Sequence, residues 1–107
     1  MEEFNIIYHI LRILQKGMDN EEFDSRILSA EALGMTVPKW SRIMAILISE
    51  GYITGAEAWN SFVCSYPKVV MTRLEITLKG LEYLEENTMM KKVARIAKGI
   101  KEAVPGL

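Results

Sequence analysis

The first feature of the chain is a helical pattern over residues 3–17. Placed at 100° steps, its apolar residues cover more than half of the helix circumference. The remaining strip is polar and consists of Glu2, Asn5, His9, Arg12 and Lys16. We therefore expect His9 to be exposed, the helix to be covered from more than one side, and Gly17 to end it.

The second feature predicts two helices that cross closely. A short helix at about residues 26–33 is broken at Gly34, and another begins after Thr36, whose hydroxyl can cap it while Pro38 occupies its first turn. A close crossing requires a small residue on the first helix, a glycine in the turn and bulky apolar residues on the second. These are Ala30, Gly34, Trp40 and Ile43, at the spacing of a helix-turn-helix. An EF-hand at 21–24 is disfavoured because the required glycine is missing, so we expect a solvated turn there.

A hairpin and a closing helix complete the pattern. A strand begins after Gly51, residues 56–66 form the connection, and residues 67–76 form the returning strand. Thr77 then caps a helix in which Gly80 permits close approach to a neighbour. The expected anchors of this helix are Leu78, Leu81, Tyr83 and Leu84.

The predicted fold class is α+β, mainly helical: a winged helix-turn-helix with an additional C-terminal helix. We assign residues 1–88 to the winged-helix domain. Residues 89–107 are predicted to contain an amphipathic basic helix, at 89–103, packed on the domain or on a second subunit. Its apolar stripe is Met89, Val93, Ile96, Ala97, Ile100 and Val104, and its basic residues are Lys91, Arg95, Lys98 and Lys101.

Composition narrows the class of protein. The 107 residues are 50% apolar and 25% charged, which is typical of one globular domain. With one cysteine, Cys64, and one histidine, His9, we expect neither a disulfide nor a metal site. We predict that Cys64 is a buried or half-buried apolar residue. The start of the chain does not resemble a signal peptide, and no apolar run is long enough for a membrane span, so we expect a cytoplasmic protein without a cofactor.

Charge is distributed unevenly along the chain. Residues 1–88 carry 8 Lys/Arg and 13 Asp/Glu, a net charge of −5, whereas residues 89–107 carry 5 and 1, a net charge of +4. The two parts are therefore not expected to share one partner by charge.

Several of these segments together resemble a known family. ITLKGLEYLEENTMMKK, preceded by LRILQKGMDNEEFD and SEGYI, is similar to the YjcQ family of small winged-helix proteins from Gram-positive bacteria and their prophages. The resemblance is most specific at Ile76, Thr77, Lys79, Gly80, Glu82, Tyr83, Leu84, Asn87, Met90, Lys91 and Lys92. It implies the fold, but it assigns no activity and no functional residue.

The fold leads to a hypothesis of DNA binding, as in a transcriptional regulator of a phage or mobile element. Residues 37–50 would enter the major groove and the hairpin tip would touch the minor groove or the backbone. The outward face of that helix is expected to hold Pro38, Arg42, Ala45 and Ser49, with Lys39 and Ser41 beside it. The candidate DNA-binding residues are Thr36, Lys39, Ser41, Arg42, Lys68 and Arg73. This basic patch is small for a protein that must neutralise phosphates.

The alternative hypothesis is a protein–protein interaction module that does not bind DNA, since a nearly neutral surface tolerates protein partners. We expect Trp59, Phe62 and Tyr66 to pack within the wing rather than to intercalate. Membrane-surface binding through the basic helix is less favoured, because its apolar face has no Trp or Phe. An enzyme is not expected, because no phosphate loop and no nucleophile with a base is evident.

Two explanations remain for the apolar faces of the first and last helices. They cover each other within one chain, or they pair between two copies in a homodimer. A dimer would double the basic contacts available to DNA.

Overall fold

The computed structural model describes residues 2–97 of the chain and the side chains of residues 3–88. Within this range the helices are α1 (Glu2–Gly17), a short 3₁₀ helix (Ser25–Leu28), α2 (Val37–Ser49) and α3 (Leu78–Ala97). The strands are β1 (Ile53–Trp59) and β2 (Lys68–Ile76), which pair antiparallel in a two-stranded sheet. The predicted α+β class with mainly helical content is confirmed.

One apolar core joins every element. Helix α1 contributes four buried apolar residues to this core. Helix α2 contributes another four, one of which, Met44, is completely buried. The buried apolar residues are Ile7, Ile10, Leu11, Leu14, Leu28, Ala30, Trp40, Ile43, Met44, Leu47, Ile53, Leu74, Ile76 and Leu84. Because strands and helices share this core, the hairpin base is held rigidly against α1 and α2.

Helices α1 and α3 pack against each other within the same chain. The Tyr8 hydroxyl and the Thr88 hydroxyl are hydrogen-bonded at 2.7 Å, and Leu84 of α3 is buried in the core. The broad apolar face of α1 is thus divided between the α2 side and the α3 side of the molecule. Phe4, near the start of α1, remains 62% exposed. His9 is exposed, as predicted.

The predicted helix at residues 26–33 is wrong. The 3₁₀ helix ends at Leu28, and the backbone of the following residue, Ser29, is extended (φ −74°, ψ 163°). The Ser29 hydroxyl accepts a hydrogen bond from the Ala32 amide at 3.1 Å. A second single turn follows, in which the Met35 amide donates to the Ala30 carbonyl at 2.9 Å. Serine favours such local hydrogen bonds over a continuous helix, so two short turns replace the first helix of the predicted pair.

The ends of α2 follow the prediction. Gly34 has a positive φ of 68° in the turn before the helix, and the Thr36 hydroxyl caps α2 by accepting from the Lys39 amide at 3.4 Å. Gly51, with φ of 80°, reverses the chain after the helix. The indole Nε1 of Trp40 donates a buried 2.8 Å hydrogen bond to the Leu28 carbonyl, which ties α2 to the 3₁₀ helix.

The first strand is longer than predicted. Residues 56–59 belong to β1 instead of the connection, which leaves residues 60–67 as the loop at the end of the hairpin, here called the tip loop. The sequence of this part did not indicate a strand because its alanines and Trp59 lack a regular apolar alternation. Pairing with the β-branched residues of β2 supplies the stability that this segment lacks by itself.

The hairpin contains a bulge near its base. Thr54 pairs with Glu75 and Ala56 pairs with Met71, so that Gly55 alone lies opposite three residues of β2. Gly55 has a φ of 83°, and a Cβ atom there would overlap the Arg73 carbonyl. Only glycine fits this combination of conformation and close contact.

The closing helix begins as predicted but extends further. Thr77 caps it by accepting from the Gly80 amide at 3.1 Å, and a Cβ on Gly80 would lie 2.5 Å from the Tyr52 carbonyl oxygen. Leu78 is not an anchor, because it is 72% exposed in the first turn, whereas Leu84 is buried. The prediction of a separate last helix from Met89 is also wrong: α3 is continuous through Ala97. Residues 98–107 lie outside the described range.

Candidate interaction surface

Helix α2 presents a mixed rather than a basic face to solvent. Arg42, Ile46 and Ser49 are exposed, and Pro38 and Ala45 are half-buried beside them. Ile46 is 49% exposed and Val37, at the start of the helix, is 50% exposed. Arg42 and Ser49 are exposed as predicted, whereas Ile46 was not among the residues predicted for the outward face.

Ser41 is the clearest error among the predicted DNA-binding residues. Its exposed fraction is 2%, so its side chain does not reach a ligand at the surface. On a helical wheel Ser41 lies 60° from Met44, at the edge of the buried arc. The buried arc of α2 is therefore wider than the sequence suggests, and the hairpin is among the elements that pack against α2.

Lys39 is paired with an acidic residue of another helix. Its Nζ lies 3.5 Å from Oε2 of Glu3, and the Lys39 side chain is 37% exposed. A hydrogen bond from the Glu3 backbone amide and then the charge of Lys39 lower the pKa of the Glu3 carboxyl. Thr36 remains next to Lys39 as the helix cap. Part of the positive charge at the start of α2 is therefore neutralised within the chain.

Arg42 connects α2 with the tip loop. Its guanidinium Nη2 donates a 3.3 Å hydrogen bond to the Ser65 carbonyl, and Arg42 itself is exposed. The loop is therefore held beside the exposed face of α2, and the two form one continuous surface. We call the exposed Arg42 and Ile46 together with Phe62 and Val63 of the loop the α2–tip surface.

The tip loop carries the most exposed apolar side chains among the residues whose side chains the structure describes. Phe62 is fully exposed and Val63 is 90% exposed, while Tyr66 is half-buried. The expectation that the aromatic residues pack within the hairpin is therefore wrong for Phe62 and for Trp59, which is 48% exposed. Cys64 is half-buried as predicted, and a side-chain hydrogen bond with it raises the pKa of the Tyr66 phenol.

The two faces of the distal hairpin differ in character. The inner face packs on the core through Ala56, Val69 and Met71. Paired residues of an antiparallel ladder share a face. The exposed pairs Glu57–Val70 and Trp59–Lys68 therefore form the opposite face, which we call the outer hairpin face.

The structure places Lys68 and Arg73 in different surroundings on β2. Lys68 lies on the outer hairpin face, opposite the face that packs on the core. Arg73 lies at the bulge, about 16 Å along the strand at roughly 3.3 Å per residue. There it lines a groove of about 580 Å³ together with Glu21, Glu22 and Glu75. The predicted basic surface is thus divided into separate positions with different neighbours.

No metal site is evident in the part of the chain that the structure describes. Among those residues no group of three or more His, Cys, Asp or Glu lies close enough to hold an ion. Residues 21–24 form a solvated turn as predicted, in which Glu21 and Glu22 are exposed and Asp24 caps the 3₁₀ helix.

None of the helices in the described part of the chain combines the length and the apolar content that a membrane span requires.

Comparison with known proteins identifies the family. The family model described as "YjcQ protein" matches residues 8–103. The chain belongs to the YjcQ family. The match includes α2, the hairpin and all of α3 (Leu78–Ala97), so the α2–tip surface lies inside the YjcQ region. No curated protein and no solved structure shows significant similarity to this chain.

Proposed function

We propose that this YjcQ-family chain is a non-enzymatic interaction module that docks a protein partner on the α2–tip surface. The observation that carries the proposal is the exposure of Phe62 and Val63 beside Arg42. Contiguous exposed apolar groups with a polar rim are typical of protein-binding sites. Phenylalanine and arginine are also among the residues enriched in the cores of protein interfaces.

Electrostatics supports a protein partner over a nucleic acid. Residues 36–76, which include α2 and the hairpin, carry 4 Lys/Arg and 3 Asp/Glu, a net charge of +1. Of the four basic residues, Lys39 is paired with Glu3, and Arg73 lies in a groove with acidic residues. Affinity for duplex DNA depends on several phosphates neutralised at once, and this surface offers few free cations for that purpose.

DNA binding is the second candidate. It is favoured by one observation: α2, the helix after the Gly34 turn, lies at the surface, and its exposed Arg42 side chain hydrogen-bonds to the tip loop of the hairpin. In this proposal the chain is a winged-helix transcriptional regulator of prophage or mobile-element type. Arg42 would contact bases or phosphates, while Thr36 and Lys39 would contact phosphates near the helix start.

One pair of binding assays separates the two candidates. The purified chain is first passed over random-sequence duplex DNA across a salt series, beside a basic winged-helix protein. The chain and three variants then serve as baits in an extract. Ile46→Glu and Phe62→Glu alter the α2–tip surface, whereas Leu78→Glu changes an equally apolar, 72% exposed residue on α3.

The docking proposal predicts no DNA retention even at low salt. It also predicts a defined set of proteins that is captured by the wild type and by Leu78→Glu but lost with Ile46→Glu and Phe62→Glu. Steep, salt-sensitive DNA retention that disappears in Arg42→Glu would overturn the docking proposal in favour of DNA binding. Capture that is equal for all baits would refute the α2–tip surface as the docking site.

A further inference from the structure

The outer hairpin face is exposed without being used by the proposed docking site. It contains the cross-strand pairs Glu57–Val70 and Trp59–Lys68. Trp59 is 48% exposed and Val70 is 48% exposed, although both are large apolar residues. Within the described part of the chain, neither Glu57 nor Lys68 takes part in an ion pair. Two charges and two apolar groups therefore stand on one small face.

The arrangement of these four residues is alternating. Cross-strand neighbours lie about 5 Å apart, and residues two apart on one strand lie about 6.6 Å apart, so the four positions form nearly a square. Trp59 and Val70 occupy one diagonal, and Glu57 and Lys68 occupy the other. Opposite charges therefore lie on either side of an apolar diagonal.

This pattern is complementary to itself. We propose that two copies of the chain form a homodimer by packing their outer hairpin faces together about a two-fold axis along the Trp59–Val70 diagonal. Rotation about that axis places each Trp59 on its symmetry mate and each Val70 on its mate. It also places Glu57 of each copy opposite Lys68 of the other, which gives two ion pairs around an apolar centre.

The geometry agrees with known sheet packing. A two-fold axis along the diagonal makes the strands of the two hairpins cross at roughly a right angle, which is one of the two preferred arrangements of packed sheets. The tryptophan pair would supply the central aromatic contact. Because the face is small compared with the roughly 800 Å² per partner of a standard interface, we expect a weak dimer that depends on protein concentration.

The proposal is independent of the α2–tip surface. Residues of the tip loop are not required in the dimer, so a partner can occupy that surface on each copy. The dimer also differs from the pairing of first and last helices that the sequence suggested, because α1 and α3 pack against each other within one chain.

The test is sedimentation velocity of the full chain over a range of protein concentrations, with charge reversal at the two ionic positions. Glu57→Lys and Lys68→Glu each place like charges opposite one another and should weaken dimerisation at least about tenfold. The double variant restores both ion pairs with reversed sign, so it should recover most of the wild-type association. Trp59→Ala should reduce association below detection. Glu82→Lys, an exposed change on α3, is the matched control.

All variants change exposed residues, and circular dichroism confirms that each remains folded before sedimentation is measured. Weakening in Glu57→Lys but not in Glu82→Lys, which changes the net charge equally, excludes a general effect of net charge. Recovery in the double variant then supports the proposed axis, because it shows that positions 57 and 68 interact across the interface. A chain that stays monomeric at every concentration overturns the proposal. A dimer whose association is unchanged by the substitutions at Glu57, Trp59 and Lys68 also overturns the proposal and would assign the dimer to another surface.

Discussion

The indole of Trp40 donates a 2.8 Å hydrogen bond to the Leu28 carbonyl in the interior of the protein. This contact joins α2 to the 3₁₀ helix that replaces the first helix of the predicted pair. A tryptophan that is 8% exposed is thus both a core residue and the hydrogen-bond partner of a backbone group that the short 3₁₀ helix leaves unpaired.

Trp40→Phe should destabilise the protein by about 1–3 kcal/mol, because the Leu28 carbonyl would lose its donor in a buried site. The measurement is urea unfolding followed by circular dichroism at low protein concentration. Trp59→Phe is the matched control, since Trp59 is 48% exposed, and its effect should stay within about 0.5 kcal/mol. Equal effects of the two substitutions would contradict the importance of the buried hydrogen bond.

Thr77→Ala should cost roughly 1–2 kcal/mol of unfolding free energy. The Thr77 hydroxyl accepts from the Gly80 amide and also donates to the Gly51 carbonyl at 2.6 Å, so its loss affects the start of α3 and the end of α2 together. Thr77→Ser keeps the hydroxyl and should retain most of the stability. If the serine variant is as unstable as the alanine variant, the hydroxyl is not the cause.

Gly80→Ala should destabilise the protein, although alanine is the better helix former by about 1 kcal/mol. The added Cβ would lie 2.5 Å from the Tyr52 carbonyl oxygen and 2.7 Å from Cγ1 of Ile76. A backbone carbonyl cannot move away as a flexible side chain can, so the steric cost should exceed the gain in propensity. Thermal unfolding measures the sign, and a raised melting temperature would show that the contact is looser than described.

Asp24→Asn should reduce stability at neutral pH and have less effect in acid. Hydrogen bonds from the Arg26 side chain and backbone lower the pKa of the Asp24 carboxyl below its ordinary value of 3.8. A depressed pKa in the folded state stabilises the protein above the unfolded pKa, and that contribution is lost as the pH falls through the folded pKa. The difference between wild type and variant should therefore be largest near pH 7 and shrink as the pH falls below the ordinary pKa of 3.8 and through the lower folded-state pKa.

Asparagine is a suitable replacement at this position because it can still cap the 3₁₀ helix while lacking the charge. Unfolding in urea at several pH values supplies the measurement. Because Asp24 and Arg26 are exposed, the effect should also weaken in high salt. A difference that stays constant from pH 7 to pH 3 would indicate a role for shape rather than charge.

The elements with local signals were predictable from the sequence. Thr36, Pro38 and Gly51 define the ends of α2 through capping and backbone conformation, which depend on a few neighbouring residues. The turn after Ser25 was mistaken for a helix because its apolar spacing suits both, and the Ser29 hydrogen bond that decides between them is visible only in three dimensions.

The candidate site was predicted less well because exposure depends on contacts distant in sequence. Ser41 is buried on α2, and Phe62 of the tip loop is fully exposed. From residue type alone, Ser41 is expected to be exposed and Phe62 to be buried. Lys68 and Arg73 were grouped because both lie on one strand, but the bulge and the strand length place them in different surroundings.

The bulge opposite Gly55 also has a consequence for how the sequences of relatives can vary. It shifts the inward-facing positions of β2 from Val69 and Met71 to Leu74 and Ile76. If one residue were deleted between the bulge and the buried Leu74, every later side chain of β2 would face the opposite side of the hairpin. Insertions and deletions among relatives should therefore accumulate in the tip loop, whereas the segment from Thr72 to Ile76 should keep a constant length.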